Sequence, residues 1–179
     1  MKAAVIGLGK IGLPIAITIA DAGIQVTGGD ASPKVVEEVN SGRAPFPGEP
    51  GLVEGIQRSL SSGLLRATTD NAEAAKNADI IVVIVPMYVD DQGIPDYSIL
   101  ESVSRDIGSV LHAGQTVIYE TTLPVGATRS RLAPILTEVS GLKAGHDFHV
   151  VHSPERVFSG RVFADLKRYP KIIGGLTPS

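Results

Sequence analysis

A chain of 179 residues with 43% hydrophobic and 20% charged side chains can bury one sizeable core, and its composition is that of an ordinary soluble domain. Its net charge of −3 is too balanced for a generic polyanion binder, so nucleic acid is not an expected partner. Cysteine is absent, which excludes disulfides, thiolate metal sites and a cysteine nucleophile within these residues.

At the N-terminus, Lys2 is followed by four apolar residues and then a glycine-rich turn, without the cleavage pattern of a signal peptide. The longest apolar run, Ile80 to Met87, is far short of the ~20 residues that span a bilayer. The expectation is a cytoplasmic protein with no membrane segment. From there two kinds of segment alternate. Lys2–Ile6, Gln25–Thr27, Leu64–Thr68, Asp79–Val85, Gln115–Tyr119 and Phe148–Val151 are short, rich in Val and Ile, and bounded by turn residues, as strands covered on both faces are. Ile11–Ala22, Pro33–Ser41, Gly51–Ser62, Asn71–Lys76, Ser98–Leu111 and Ala127–Val139 carry helical spacing. Ser32 before Pro33 predicts an N-cap and first helical residue; Asp70 with Glu73 predicts a capping box. The loops Gly42–Gly51 and Tyr88–Pro95 are rich in turn residues. After Val151 the pattern fails until Lys171–Gly175, which reads as one more strand, so the chain is expected to end mid-architecture. Such alternation predicts an α/β fold: a Rossmann-type, doubly wound, mainly parallel sheet with helices on both faces, in one domain over residues 1–179.

The first strand runs into Gly7, Gly9 and Gly12, a G-x-G-x-x-G turn opening a helix. Such glycines allow a tight turn, a close approach to a pyrophosphate and close helix–strand packing, while the helix N-terminus offers N–H donors and partial positive charge. The motif alone is weak evidence. The second strand is followed by Asp30, close to the ~20-residue spacing of a ribose-binding acid, which would accept both ribose hydroxyls and repel a 2′-phosphate. NAD is therefore the expected cofactor; the bland alternative for Asp30 is a capping or solvated acid. Lys34 either reaches the same ribose or phosphates or is a solvated first-turn lysine. Histidines 146, 149 and 152 do not fit a helical metal pair and would alternate faces in a strand, so no metal site is expected. Asp90 and Asp91 read as solvated loop acids.

Three later motifs, Ala78–Pro86 (ADIIVVIVP), Glu120–Gly126 (ETTLPVG) and Ser153–Gly160 (SPERVFSG), follow the glycines in order, with Glu49-Pro50-Gly51-Leu52 between. Together they resemble the UDP-glucose/UDP-N-acetylmannosamine dehydrogenase family over nearly the whole chain, closer in IGLP and SPERVFSGR to the N-acetylhexosamine branch. The resemblance implies two NAD-dependent oxidations of a UDP-sugar C6 alcohol to the uronate, through a cysteine-bound thiohemiacetal and thioester, serving polysaccharide or cell-envelope sugar synthesis. It implies cofactor contacts from Gly7, Gly9, Lys10, Ile11, Gly12, Asp30, Lys34, Val85, Pro86 and Thr122. Thr122 would hold a water near the reaction and Glu155 would be the base for thioester hydrolysis. Glu155, Arg156, Val157 and Arg161 would lie along the substrate. Without the resemblance, Thr122 and Glu155 read as turn-capping residues. Glu120 either touches the nicotinamide ribose or is structural, the latter preferred.

The sequence departs from the family in two ways. Val85 stands where a threonine is common, and the nucleophilic cysteine would belong to a missing C-terminal half, which also builds the family's homodimer. Competing readings are a stand-alone NAD-binding module and the cofactor domain of a 6-phosphogluconate- or 3-hydroxyacid-dehydrogenase-like enzyme.

Overall fold

A computed structural model describes residues 1–177. The strands are β1 (Lys2–Ile6), β2 (Gln25–Gly29), β3 (Leu65–Thr68), β4 (Ile80–Val83), β5 (Tyr88–Val89), β6 (Pro95–Asp96), β7 (Thr116–Tyr119), β8 (His149–His152) and β9 (Gly174–Gly175). The helices are α1 (Gly12–Asp21), α2 (Pro33–Asn40), α3 (Leu52–Ser61), α4 (Asn71–Ala75), α5 (Ser98–Gly108), α6 (Ala133–Ser140) and α7 (Val162–Arg168). One sheet runs β3-β2-β1-β4-β7-β8-β9, parallel throughout except for antiparallel β9, and β5 pairs with β6 as a separate hairpin. This is the expected doubly wound sheet.

Two apolar layers follow from the period-2 alternation of fully buried strands. Ala4 and Ile6 of β1, with Ile81 and Val83 of β4, face Leu100, Val103 and Ile107 of α5 and Leu136 of α6. Ala3 and Val5, with Val82, face Leu13, Ala16 and Ile17 of α1 and Ile56 of α3. The register sets Ile6 beside Gly29 and Val83, Val83 beside Tyr119, and Tyr119 beside His152. Every loop that leaves these strands therefore emerges on one edge. The chain order reverses between β1 and β4, which makes that edge a topological switch point.

Several element ends differ from the sequence expectation, each for a local reason. The strand expected to stop at Thr27 continues through Gly28 and Gly29. These glycines are there for space: a Cβ on Gly28 would meet the Leu8 side chain at 2.7 Å, and one on Gly29 would meet Ile6 Cδ1 at 2.9 Å. The fourth strand ends at Val83 rather than Val85; Ile84 N still donates to Ile6 O, but Val85 O is taken by the Thr121 hydroxyl at 2.7 Å. Ser32 caps α2 through Val35 N as expected. Asp70 caps α4 through Glu73 N, but Glu73 does not complete the box: it accepts from Arg66 and Thr68, and Thr68 Oγ1 takes the Asp70 N–H instead.

The Tyr88–Pro95 loop contains the small β5–β6 hairpin, closed by Asp90 Oδ1 accepting from Gln92 N and Ile94 N. The helix expected over Ser98–Leu111 stops at Gly108, which packs against Val139. The one expected over Ala127–Val139 opens with a π turn, Thr128–Leu132, before α6. Pro134 has no N–H for the carbonyl four residues back, and the turn widens there. Residues 152–170 hold α7, invisible to periodicity because one of its two buried residues is the charged Asp165. Of Lys171–Gly175, only Gly174–Gly175 pairs in the sheet.

Candidate functional site

The glycine turn sits where β1 meets α1. Gly7 N donates to Gly29 O at 2.7 Å, and Gly7 has φ +100, which L side chains rarely adopt. A Cβ on Gly7 would lie 2.9 Å from Ile84 O, and one on Gly12 would lie 1.9 Å from Gly7 O and 2.7 Å from Ile84 Cγ2. The fold itself demands both glycines. Gly9 is different: its φ is not positive, and a Cβ there would meet nothing within 4 Å. Open space over a bare backbone at the start of a helix is what a bound pyrophosphate requires. No side chain caps the N-terminus of α1, so its first-turn N–H groups have no side-chain acceptor.

Asp30 closes the other side of the turn. Its Oδ2 accepts from Leu8 N at 2.8 Å and its Oδ1 from Ser32 N at 2.9 Å. A carboxylate has about four lone-pair positions, so two remain for ribose hydroxyls. Asp30, Gly7, Gly9, Ala31, Ile84, Val85, Pro86, Ile99 and Val103 line a largely apolar cleft of about 270 Å³. Apolar walls, one carboxylate with acceptor positions to spare and a Cβ-free floor suit the adenosine end of a dinucleotide. Lys10 and Lys34 are exposed, and Ile11 is half-buried.

These glycines make a paired prediction. Gly12→Ala is expected to destabilise the chain by about 1–3 kcal/mol or more through overpacking. Gly9→Ala should leave thermal unfolding unchanged while weakening NAD roughly 5- to 30-fold, about 1–2 kcal/mol of lost fit. Calorimetric titration beside a thermal melt separates the two. Unfolding of Gly9→Ala with Gly12→Ala intact would reverse the assignment.

A second cleft of about 230 Å³ adjoins the first across Ile84, Val85 and Pro86, which wall both. It is lined further by Ile11, Glu120, Thr121, Thr122, Glu155 and Val157. The two threonines divide their work. Thr121 is buried and its hydroxyl is spent on Val85 O, whereas Thr122 is exposed beside the cleft. Glu155 is brought to the β7 end by its own backbone, Glu155 N donating to Glu120 O at 3.1 Å. Its carboxylate then pairs with Lys171 Nζ, which also pairs with Glu120 Oε1 at 2.8 Å. Burial pushes the Glu120 carboxyl above the usual range; Lys171 pulls it back, and the neighbouring Glu155 pushes it up again.

The arginines near this cleft are already engaged. Arg156 donates to Pro170 O; Arg161 pairs with buried Asp165 at 3.0 Å and lies over the Phe158 ring. The Glu49 carboxylate accepts from Gly160 N and Phe163 N, so the Pro- and Gly-rich loop before α3 anchors the SPERVFSG segment.

Three residues of this arrangement went unassigned to the site by sequence reasoning: Lys171, the anchoring role of Glu49, and Glu120, for which a structural role was preferred. For Glu120 a signal existed, since it follows β7 directly, at the strand edge that carries Gly7 and Asp30. Lys171 has none, because only the return of the chain to β8 brings it near Glu155.

Comparison with known proteins adds names to this geometry. A family model described as "UDP-glucose/GDP-mannose dehydrogenase family, NAD binding domain" matches residues 1–179. The UDP-N-acetyl-D-mannosamine dehydrogenase of Pyrococcus horikoshii is 40% identical over 179 residues, 99% of this chain and 41% of that protein. The solved structure of UDP-D-ManNAc dehydrogenase from that organism matches with a TM-score of 0.93 at 39% identity, over 99% of this chain and 42% of that one. A ternary complex of GDP-mannose dehydrogenase from Pseudomonas aeruginosa matches with a TM-score of 0.93 at 30% identity, over 98% and 41%. The chain thus spans about two fifths of the length of these relatives. Mycobacterium tuberculosis 3-hydroxyisobutyrate dehydrogenase, at 16% identity and a TM-score of 0.59, shares the fold alone.

Proposed function

The chain belongs to the UDP-glucose/GDP-mannose dehydrogenase family as its NAD-binding domain, and on that premise we propose that it is the cofactor half of a longer nucleotide-sugar 6-dehydrogenase. The substrate we assign is a UDP-sugar of the UDP-N-acetylmannosamine kind, oxidised at C6 to the uronate in the cytoplasm for polysaccharide or cell-envelope sugar synthesis. One observation carries this reading: a cleft suited to a dinucleotide shares the Ile84–Pro86 wall with a second cleft lined by Thr122, Glu120 and Glu155, the two carboxyl groups that Lys171 bridges.

When bound, NAD supplies the hydride acceptor. The chain's own residues bind and orient: Asp30 takes the adenosine ribose, the backbone at Gly9 admits the pyrophosphate, and Thr122 holds a water beside the reacting carbon. In the last step Glu155 takes a proton from water as the water oxygen bonds to the acyl carbon; the carbon–sulfur bond breaks and the thiolate leaves. These residues contain no cysteine, so the thiol falls to the rest of the longer protein, which would also supply most sugar contacts and the homodimer interface.

The second reading, a non-catalytic NAD-binding module, draws on the same absence of a thiol. The two are separated by following NADH with a panel of UDP-hexoses and UDP-N-acetylhexosamines. This chain alone is expected to give no sustained turnover, and the longer protein containing it to form uronate. Sustained uronate formation by the chain alone would overturn the division of labour. A longer protein that binds NAD yet oxidises none of the panel would favour the module.

A further inference from the structure

The carboxyl of Glu120 is 5% exposed as a residue, and its Oε2 is buried without a hydrogen-bond partner. A buried carboxylate oxygen left unpaired is costly. Its companion oxygen, Oε1, meets Lys171 at 2.8 Å, and the same ammonium also pairs with the Glu155 carboxylate. One ammonium therefore faces two carboxyl groups, both of which line the cleft that Thr122 also lines, while Lys171 reaches them from outside it. Two carboxylates so close cannot both ionise cheaply, and a proton held by one of them would supply the missing donor.

Of the other titratable groups nearby, His152 of β8 sits in register with Tyr119, just before Glu120, its Nδ1 buried and unpartnered among the described residues; the rest are already paired. Ile84, Val85 and Pro86 after β4 and Ile11 ahead of α1 are apolar; Asp165 of α7 is committed to Arg161 and Phe158 N; Arg156 turns to Pro170 O. With His152 neutral, Glu120, Glu155 and Lys171 set the local charge between them. With Glu120 protonated the three sum to zero, and with Glu120 ionised they sum to −1.

We propose that Glu120 is a proton-holding partner of Glu155, that Lys171 is the clamp keeping the two carboxyl groups side by side, and that ionisation of Glu120 makes Glu155 the better proton acceptor. Both are positioning residues. The functional half of this inference rests on Glu155 being the base, but the proton-holding half does not.

The test begins with the chain itself, labelled with 13C at glutamate carboxyls and titrated by NMR. One resonance, identified by its loss in Glu120→Gln, is expected to titrate above the ordinary glutamate range. In Lys171→Met, which removes the favourable positive charge, its midpoint should rise by about one pH unit or more, and Lys171→Arg should restore it. In the longer protein, the acid limb of the kcat–pH profile should move up with Lys171→Met and move down in Glu120→Gln, where Glu155 no longer has a second negative charge beside it. If the Glu120 resonance of the unaltered chain titrates in the ordinary range, the proposal fails, and no variant is needed to show it. It fails equally if Lys171→Met, folded by circular dichroism, leaves that midpoint in place. Should the NMR coupling appear while Glu155→Gln leaves turnover intact, the base assignment falls and the proton-holding pair stands.

Discussion

Asp30→Ala is expected to weaken NAD binding about 10- to 150-fold, which is ~1.5–3 kcal/mol for a charge-assisted pair of hydrogen bonds to the ribose. NADP should bind the unaltered chain far more weakly than NAD, and the substitution should narrow that gap because the repulsion of a 2′-phosphate goes with the carboxylate. The structure adds a complication. Asp30 also accepts from Leu8 N and Ser32 N, so alanine removes two bonds that shape the glycine turn. Their loss alone costs about 0.5–1.5 kcal/mol each in stability. Asp30→Asn separates the contributions: it keeps one acceptor and the side-chain shape, but loses the charge. Because its amide NH2 then faces one of the two N–H donors, the asparagine variant should lose one of these bonds, about 0.5–1.5 kcal/mol of stability, less than alanine loses, and still lose NAD preference. Calorimetry showing equal affinity for NAD and NADP in the unaltered chain, or no response to alanine, would remove Asp30 from the ribose.

What the sequence made legible was the cofactor side. The glycines, Asp30 and the strands they terminate lie within one βαβ unit, where local spacing dictates spatial proximity. Gly7, Gly9 and Gly12 look equivalent in the sequence, however. Only packing shows that two of them serve the fold, whereas a Cβ on Gly9 would meet open space. The second cleft was less legible because it is assembled from segments far apart. Glu155 is held by Lys171 across the antiparallel β9 return, and its segment is pinned by Glu49 more than 100 residues earlier. Neither pairing leaves a periodic trace. The same holds for α7, whose buried Asp165 breaks the apolar pattern that helix reading depends on. The threonine pair was readable as ETT, but which hydroxyl is free was decided by the departure of β4 at Val83, which leaves Val85 O for Thr121.

In the longer protein, Glu155→Gln is expected to lower steady-state turnover roughly 100- to 10,000-fold, the usual contribution of a general base. Glutamine keeps the shape, and its oxygen can still accept from Lys171, so the cluster should hold together while the ability to take a proton from water is lost. The effect should fall on the second half-reaction. Hydride transfer from the sugar needs no base at this position in the proposed scheme, so NADH should appear in a burst of about two per active site, followed by a slow phase. Enzyme should then accumulate as the covalent thioester, visible by intact-protein mass spectrometry as the sugar-nucleotide adduct. Loss of the burst itself, with no adduct, would place Glu155 in binding or in the first oxidation. Unchanged turnover would return it to a turn-forming residue, its carboxylate serving only Arg156 N and Lys171. Lys171→Met provides the contrast: it leaves the base in place but unclamped, so it should lower turnover less than Glu155→Gln and shift the pH at which turnover is lost.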